Sequence, residues 1–294
     1  RADLPNEIAR RLDGMFPHRD ANIALHEPEF NNQAETLVLD CVRSTYVSSV
    51  GEYVEYFEAK LAAACGVKHA VAMVNGTAAL EVALRVVGVE PGSEVLLPSL
   101  TFVATANAVS HLNAVPHFVD VEDESLGIDS DALLRHLKKI GRQTSGGFFN
   151  KETGRRISAI VPVHVFGHPA AMDELNAVAS TFDLPVIEDA AEALGSQYKQ
   201  KQCGSLGHAG AFSFNGNKIL TTGGGGAVVT NDAKVADLAR HLSSTAKLAH
   251  PWKFEHDSVG YNYRMPNLNA ALGVSQLMDL TTRIASKRTL AAAY

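Results

Sequence analysis

A chain of 294 residues that is 46% hydrophobic, 20% charged and carries a formal net charge of −6 can bury one large core or two domains. Its acidic and basic residues are interspersed, which excludes the basic stripe of a nucleic-acid or membrane-surface binder. Cys41, Cys65 and Cys203 form no CxxC pair, so a disulfide framework or zinc ribbon is excluded, and no apolar run has transmembrane or signal-peptide character. A cytoplasmic protein is expected.

Residues 1 to about 28 predict an amphipathic helix carrying Ile8, Leu12, Met15 and Phe16, then an extended arm. A helix is expected over 31–43, a small polar loop over 45–51, and a second helix over 52–65 with Val54, Phe57, Leu61 and Ala64 on one face. Residues 69–75 read as an apolar strand that Gly76-Thr77 turns directly into a helix over 78–87. Free N–H groups at such a helix start attract an anion, best a phosphate; the plain alternative is a βα turn with a threonine cap. Strand, helix and strand follow at 94–98, 101–112 and 114–119, then a helix at 130–140. Residues 141–156 are glycine-rich and charged and predict an exposed loop or hairpin. A long apolar strand (157–166), a helix (171–182) and a strand (184–188) come next. The alternation predicts an α/β protein with a mostly parallel central sheet covered by helices on both faces.

A short strand at 211–214 then breaks at Asn215-Gly216-Asn217 and delivers Lys218. The glycine run 223–226 leads into a strand at 227–230. Asn231 is placed to cap a helix over 232–244 with Val235, Leu238 and Leu242 inward. Residues 249–266 are polar and aromatic, and 269–280 are helical. The expected division is an N-terminal helix and arm (1–30), a large α/β domain (31–240) and the start of a smaller C-terminal domain (241–294).

Ligands of parallel sheets bind beyond the carboxyl ends of the strands. Gly76-Thr77, Phe102, Asp189 and Lys218 all follow predicted strands and therefore share one edge. Singly, each has a plain reading: an exposed lysine, a helix-capping aspartate, a core phenylalanine, an ordinary turn. Together they suit one cofactor. Pyridoxal 5′-phosphate needs a lysine for its aldehyde, a carboxylate on its pyridine nitrogen, a phosphate anchor and a flat group against its ring.

Val74-Asn-Gly-Thr-Ala-Ala-Leu80, Pro98-Ser-Leu-Thr-Phe-Val-Ala-Thr105, Val186-Ile-Glu-Asp-Ala-Ala-Glu192, Ser213-Phe-Asn-Gly-Asn-Lys218 and Gly260-Tyr-Asn-Tyr-Arg264 occur in that order. In these motifs the chain resembles the DegT/DnrJ/EryC1/StrS family of sugar-nucleotide aminotransferases, over about residues 24 to 290. His26-Glu-Pro28, Val47-Ser-Ser-Val-Gly51 and Val163-His-Val-Phe-Gly-His-Pro169 most resemble members that aminate 4-keto-6-deoxy sugars for legionaminic-acid-type surface glycans. The resemblance implies the fold type I, aspartate-aminotransferase-like architecture, with a smaller C-terminal domain that is incomplete here. It implies that Lys218 is the Schiff-base lysine and Asp189 the pyridinium partner. Glu192 would lie near the cofactor's phenolic oxygen, Phe102 on the ring, and Ser213 with Gly76 and Thr77 at the phosphate. It implies that Asn262 reaches the phosphate of a neighbouring subunit, hence a homodimer with shared active sites. Two departures stand out. Gly223 to Gly226 replaces a run that often carries an acidic residue, which implies a looser loop, and the chain stops at Tyr294 where relatives continue, which points to a truncation or missing parts.

The implied reaction is a ping-pong transamination from glutamate to a keto sugar nucleotide, with neither nucleic acid nor membrane as partner. Lys218 argues against a sugar 3-dehydratase of the same family, where histidine replaces the lysine. The lysine–aspartate pair argues against a non-catalytic binding or regulatory protein on the same fold. No G-x-G-x-x-G or Walker A motif supports a nucleotide-dependent oxidoreductase. His164 and His168 could share a metal on a helix, but an extended segment separates them by roughly 13 Å unless Gly167 folds the chain back. No metal is expected. Ser48, Ser49 and the 141–156 segment are candidate substrate contacts.

Overall fold

The computed structural model describes residues 3–15 and 26–293; Phe16 and most of the expected arm lie outside the described residues. In chain order the elements are α1 (Leu4–Met15), α2 (Asn32–Ser44), α3 (Glu52–Cys65), β1 (His69–Met73), α4 (Gly76–Val86), β2 (Glu94–Pro98), α5 (Val103–His111), β3 (Val115–Val119) and α6 (Ser130–Ile140). A hairpin of β4 (Gly141–Thr144) and β5 (Gly147–Asn150) precedes β6 (Ile157–Ile160), α7 (Met172–Thr181) and β7 (Ile187–Asp189). The two-residue strands β8 (Gln197–Tyr198) and β9 (Lys201–Gln202) form a small ribbon. Then come β10 (Ala209–Ser213), β11 (Gly226–Thr230), α8 (Ala233–Ser243), α9 (Asn267–Met278) and α10 (Leu280–Ala293). Among the described residues no helix is long and apolar enough to cross a membrane.

The strands join in the order β3-β2-β6-β7-β10-β11-β1. Parallel bridges Ile160↔Val186 and Val163↔Asp189 connect the β6 and β7 segments. β11 is antiparallel to both β10 and β1, so the other strands all run one way. Side chains alternate across the sheet, and here both sets are apolar. Val71, Met73, Val95, Leu97, Ala159, Ala211 and Val228 face one layer, built from α4, α5 and α8. Ala70, Ala72, Phe212, Ala227 and Val229 face α3 and α9, while Leu96, Ile160 and Val186 face α6 and α7. This double burial is why the strands read as continuous apolar runs rather than as alternating patterns. α9, which falls in the expected 241–294 unit, adds Ala270 and Val274 to the α3 side of this core.

Several local details differ from the sequence expectations, among them the strand expected over 157–166, which is confined to Ile157–Ile160. Asp232, not Asn231, caps α8: its Oδ1 accepts from Lys234 N at 2.8 Å, while Asn231 Oδ1 accepts from Lys68 N. Within α8, Ala236, Ala239 and Leu242 face inward and Val235 packs at the edge of the same core, as expected for Val235 and Leu242. Leu238 instead stays 41% exposed, because the face the packing buries is centred on Ala236 and Ala239. The 141–156 segment is a hairpin with Phe148 and Asn150 buried. It packs at the amino end of β2, where Glu94 N donates to Arg156 O and the Glu94 carboxylate accepts from Asn150 Nδ2 and Thr153 Oγ1. α1 is amphipathic as expected, but Leu4, Ile8 and Leu12 are exposed.

One buried carboxylate ties several of these parts together. Glu188, on β7, has no exposure. Its Oε1 accepts from Leu206 N (2.6 Å) and Gly207 N (2.7 Å), and its Oε2 accepts from Gly204 N (2.7 Å) and contacts His164 Nε2 (2.9 Å). A fully desolvated carboxylate persists only when its lone pairs are met in this way. Glu188→Ala strands these donors without solvent. It should lower the unfolding free energy by about 3–5 kcal/mol in urea titrations; a loss below about 1 kcal/mol would mean that the 204–207 loop rearranges freely.

Candidate active site

The carboxyl ends of β1, β2, β7 and β10 lie on one rim of the sheet because these strands are parallel. β10 and β7 are adjacent, with Ala211 opposite Asp189 in the register. Beyond β10 the buried Phe214 donates its N–H to Gly225 O (2.8 Å) and accepts from Thr222 N (3.0 Å). These bonds close the loop on itself and set the turn in which Lys218 N donates to Asn215 O at 3.0 Å. The Lys218 side chain is only 16% exposed, and its Nζ stands 2.9 Å from Glu192 Oε1. Lys218 is therefore not the free surface lysine that a polar turn alone suggests.

Asp189 ends β7 and is 6% exposed. Its Oδ2 accepts from Thr105 Oγ1 at 2.6 Å and its Oδ1 accepts from Ala191 N at 3.2 Å. Burial pushes its pKa up from the ordinary aspartate value, and the Thr105 hydroxyl, the Ala191 amide and the charges of His164 and Lys218 pull against that shift.

The start of α4 is shaped by close backbone approach. Asn75 caps α4, its Oδ1 accepting from Ala78 N at 2.7 Å, so Gly76 and Thr77 form the first helical turn rather than a separate loop, and the alternative of a threonine cap is ruled out. The N–H groups of a first turn have no intrahelical partners. A Cβ on Gly76 would lie 2.8 Å from Ser213 Cβ and 3.3 Å from Ser213 Oγ, and one on Gly226 would lie 2.4 Å from the carbonyl carbon of Asn75. Only glycine lets α4, Ser213 and β11 meet here. The result is a helix start packed against a hydroxyl, on the rim that also carries the Lys218 turn, a donor set that fits a phosphorylated aldehyde such as pyridoxal phosphate.

Phe102 precedes α5 at this rim and is 77% exposed, so it is not a core residue. Asn262 is exposed on the segment that bridges Ser244, and none of the hydrogen bonds joining the other candidates includes it. The glycine run is tied down rather than loose: Asn269 Nδ2 donates to Thr222 O (2.7 Å) and Gly224 O (3.1 Å). The 141–156 hairpin lies at the opposite rim and does not reach the site. His164 and His168 do not converge. His164 is buried, its ring held by Glu188 and by Ala170 N, whereas His168 is exposed beyond the turn at Val165–Gly167. Among the described residues no cluster of His, Cys, Asp or Glu could hold a metal ion.

Sequence reasoning missed Thr105, Glu188 and Asn269. Thr105 carried a usable signal: a threonine flanked by Ala104 and Ala106 at the start of a helix that buries it together with Ala108 and Val109. A 370 Å³ cavity beside the Lys218 turn is lined by His26, Glu29, Asn31, Ile219, Arg283 and Lys287.

Residues 28–294 match the DegT/DnrJ/EryC1/StrS aminotransferase family. The chain is 38% identical over 272 residues to the GDP-perosamine synthase of Escherichia coli O157:H7, covering 92% of this chain and 70% of that protein. Among solved structures it resembles Helicobacter pylori PseC, an aminotransferase involved in the biosynthesis of pseudoaminic acid, with a TM-score of 0.78 and 29% identity over 89% of this chain and 67% of that one. A Streptococcus pneumoniae protein solved in a PMP form has a TM-score of 0.78 at 26% identity, over 89% of this chain and 67% of that one. The chain thus spans about two thirds of the length of the proteins it matches. Gly226→Ala should destabilise the protein by about 1–3 kcal/mol through the contact with Asn75 and weaken binding of a phosphorylated ligand. Thermal unfolding and a pyridoxal phosphate titration check both; wild-type values in the two would remove the argument from close approach.

Proposed function

The chain belongs to the DegT/DnrJ/EryC1/StrS aminotransferase family, and we propose that it moves the amino group of glutamate onto a 4-keto-6-deoxy sugar carried by a nucleotide. The coarser statement stands on the family itself: this is a pyridoxal phosphate-dependent sugar aminotransferase of amino-sugar biosynthesis. The finer reading extends the likeness to the branch that builds legionaminic-acid-type surface glycans. The observation that carries the site assignment is the pairing of β7 with β10, which brings Asp189 and the Lys218 turn to one rim.

When bound, the cofactor supplies an electrophilic aldehyde and an electron-withdrawing ring. In the proposed roles, Lys218 Nζ holds that aldehyde. As a free amine, Nζ would be placed to take a proton from the donor's α-carbon and, in the second half of the cycle, to give one to the sugar carbon that becomes the amine centre. Glu192 accepts a hydrogen bond from Nζ and limits where the freed amine can swing. Asp189, as a carboxylate, keeps a proton on the ring nitrogen. Gly76, Thr77 and Ser213 bind the phosphate, and Phe102 covers the ring and excludes water from one face. Asn262 reaches the phosphate of a second copy, so the working unit is a homodimer. This assignment explains why Asn262 stands apart from the other candidates within a single chain.

A retained lysine speaks against the dehydratase reading, and a paired lysine and aspartate on one rim speak against a non-catalytic role. The first test is the visible spectrum of the purified protein. A yellow band that fades with glutamate and is missing from Lys218→Ala is expected, together with loss of turnover in that variant on GDP-, dTDP- and UDP-linked 4-keto sugars. A protein that stays colourless after incubation with pyridoxal phosphate, or substantial transamination by Lys218→Ala, would overturn the assignment.

A further inference from the structure

Asp189 can hold a proton on a ring nitrogen only while it is itself ionised, yet it is buried at 6% exposure. Donors must therefore replace the water it has lost. The nearest is Thr105 Oγ1, itself 1% exposed and 2.6 Å from Asp189 Oδ2. A threonine inside a helix ordinarily turns its hydroxyl to the carbonyl one turn back. Thr105 instead reaches across to another strand. Four residues earlier, just before the helix begins, Thr101 Oγ1 lies 2.7 Å from Thr105 Oγ1. A hydroxyl has a single proton, and an ionised carboxylate can only accept, so Thr105 gives its proton to Asp189 and the Thr101–Thr105 contact uses the proton of Thr101. The other acceptor near Thr101, Phe102 O, is farther at 3.2 Å. The donors thus run in one direction, Thr101 to Thr105 to Asp189, and such a chain strengthens each of its bonds.

We propose that Thr105 is a positioning residue that holds Asp189 oriented and ionised, and that Thr101 completes the relay. The loop carrying Phe102 and the Asp189 carboxylate are thereby set as one unit. The inference rests on the reading that Asp189 faces the pyridine nitrogen. The charged groups bearing on Asp189 are His164, from the segment after β6, and Lys218, from the turn after β10. Glu188 lies behind His164 and Glu192 beyond Lys218. Without Thr105 the balance tilts further toward the neutral acid, so Asp189 gains its proton at a higher pH and the acid limb of function moves up.

The experiment compares wild type, Thr105→Val, Thr105→Ser, Thr101→Val and Asp189→Asn, each as purified protein titrated with pyridoxal phosphate. The bound cofactor's visible absorption is also followed against pH. Thr105→Val should weaken cofactor binding about ten-fold and move the acid limb up by about one pH unit, lowering kcat more than it raises the KM for glutamate. Thr105→Ser should restore both readouts, and Thr101→Val should show a smaller shift of the same sign. A purely structural threonine would lower the melting temperature and leave the pH titration in place. The relay is refuted by a folded Thr105→Val with wild-type affinity and pH titration while Asp189→Asn loses both. Wild-type behaviour of Asp189→Asn would overturn the reading of Asp189 itself and the relay with it. Should Thr105→Val fail to fold, Thr101→Val decides on the same two readouts, and an unshifted acid limb there refutes the proposal.

Discussion

A carboxylate without solvent sits at the centre of this molecule. Glu188 accepts from the amides of Gly204, Leu206 and Gly207 and contacts His164. Those amides belong to the loop that enters β10, and His164 belongs to the segment that leaves β6. One side chain therefore fixes β7 between its neighbours on both sides. Asp189 is the next residue, and Lys218 lies just beyond the end of β10. Their spacing is inherited from the anchoring of Glu188.

The remainder of the site follows from a sheet that is apolar on both faces. Such a sheet has no room for polar chemistry between its layers, so reactive groups collect where the strands end. Close backbone approach then shapes this rim. Gly76 lies against Ser213 and Gly226 against Asn75, and each contact excludes a side chain. Elsewhere, charged side chains pin the segments that border the rim. Arg264 Nη2 bonds Glu58 Oε1 at 2.7 Å, and the same carboxylate oxygen accepts from Ala72 N at 2.8 Å, which fastens the 260–264 segment to α3 and β1.

Much of the architecture was legible because its signals are local. Double-faced burial writes unbroken apolar runs, and glycine or asparagine punctuates the ends of strands. The helix over 130–140 and the strand over 94–98 were placed residue for residue. The errors were of another kind. By period Leu238 shares a face with Val235 and Leu242, but packing against the sheet centres the buried face on Ala236 and Ala239 and leaves Leu238 outward. The 141–156 segment reads as an exposed loop or hairpin and as a substrate contact; the hairpin is there, but Phe148 and Asn150 are buried. Its pairing with Glu94 places it at the far rim, and nothing within that stretch of sequence encodes which end of β2 it meets. The glycine run looked loose because its tether, Asn269, is some forty residues away.

The sequence by itself determined the α/β class, the strand-then-turn placement of Gly76, Phe102, Asp189 and Lys218, and the family to which those motifs belong. These depend on residue order and on period, which any stretch of chain carries within itself. Only the tertiary structure decided the partners: Glu192 for Lys218, Thr105 for Asp189, Ser213 against Gly76, and the four contacts of Glu188. A partner is chosen by which unsatisfied donor the packed backbone brings within about 3 Å of a desolvated acceptor. That distance is a property of the assembled sheet and its layers, and no segment of the chain contains it alone.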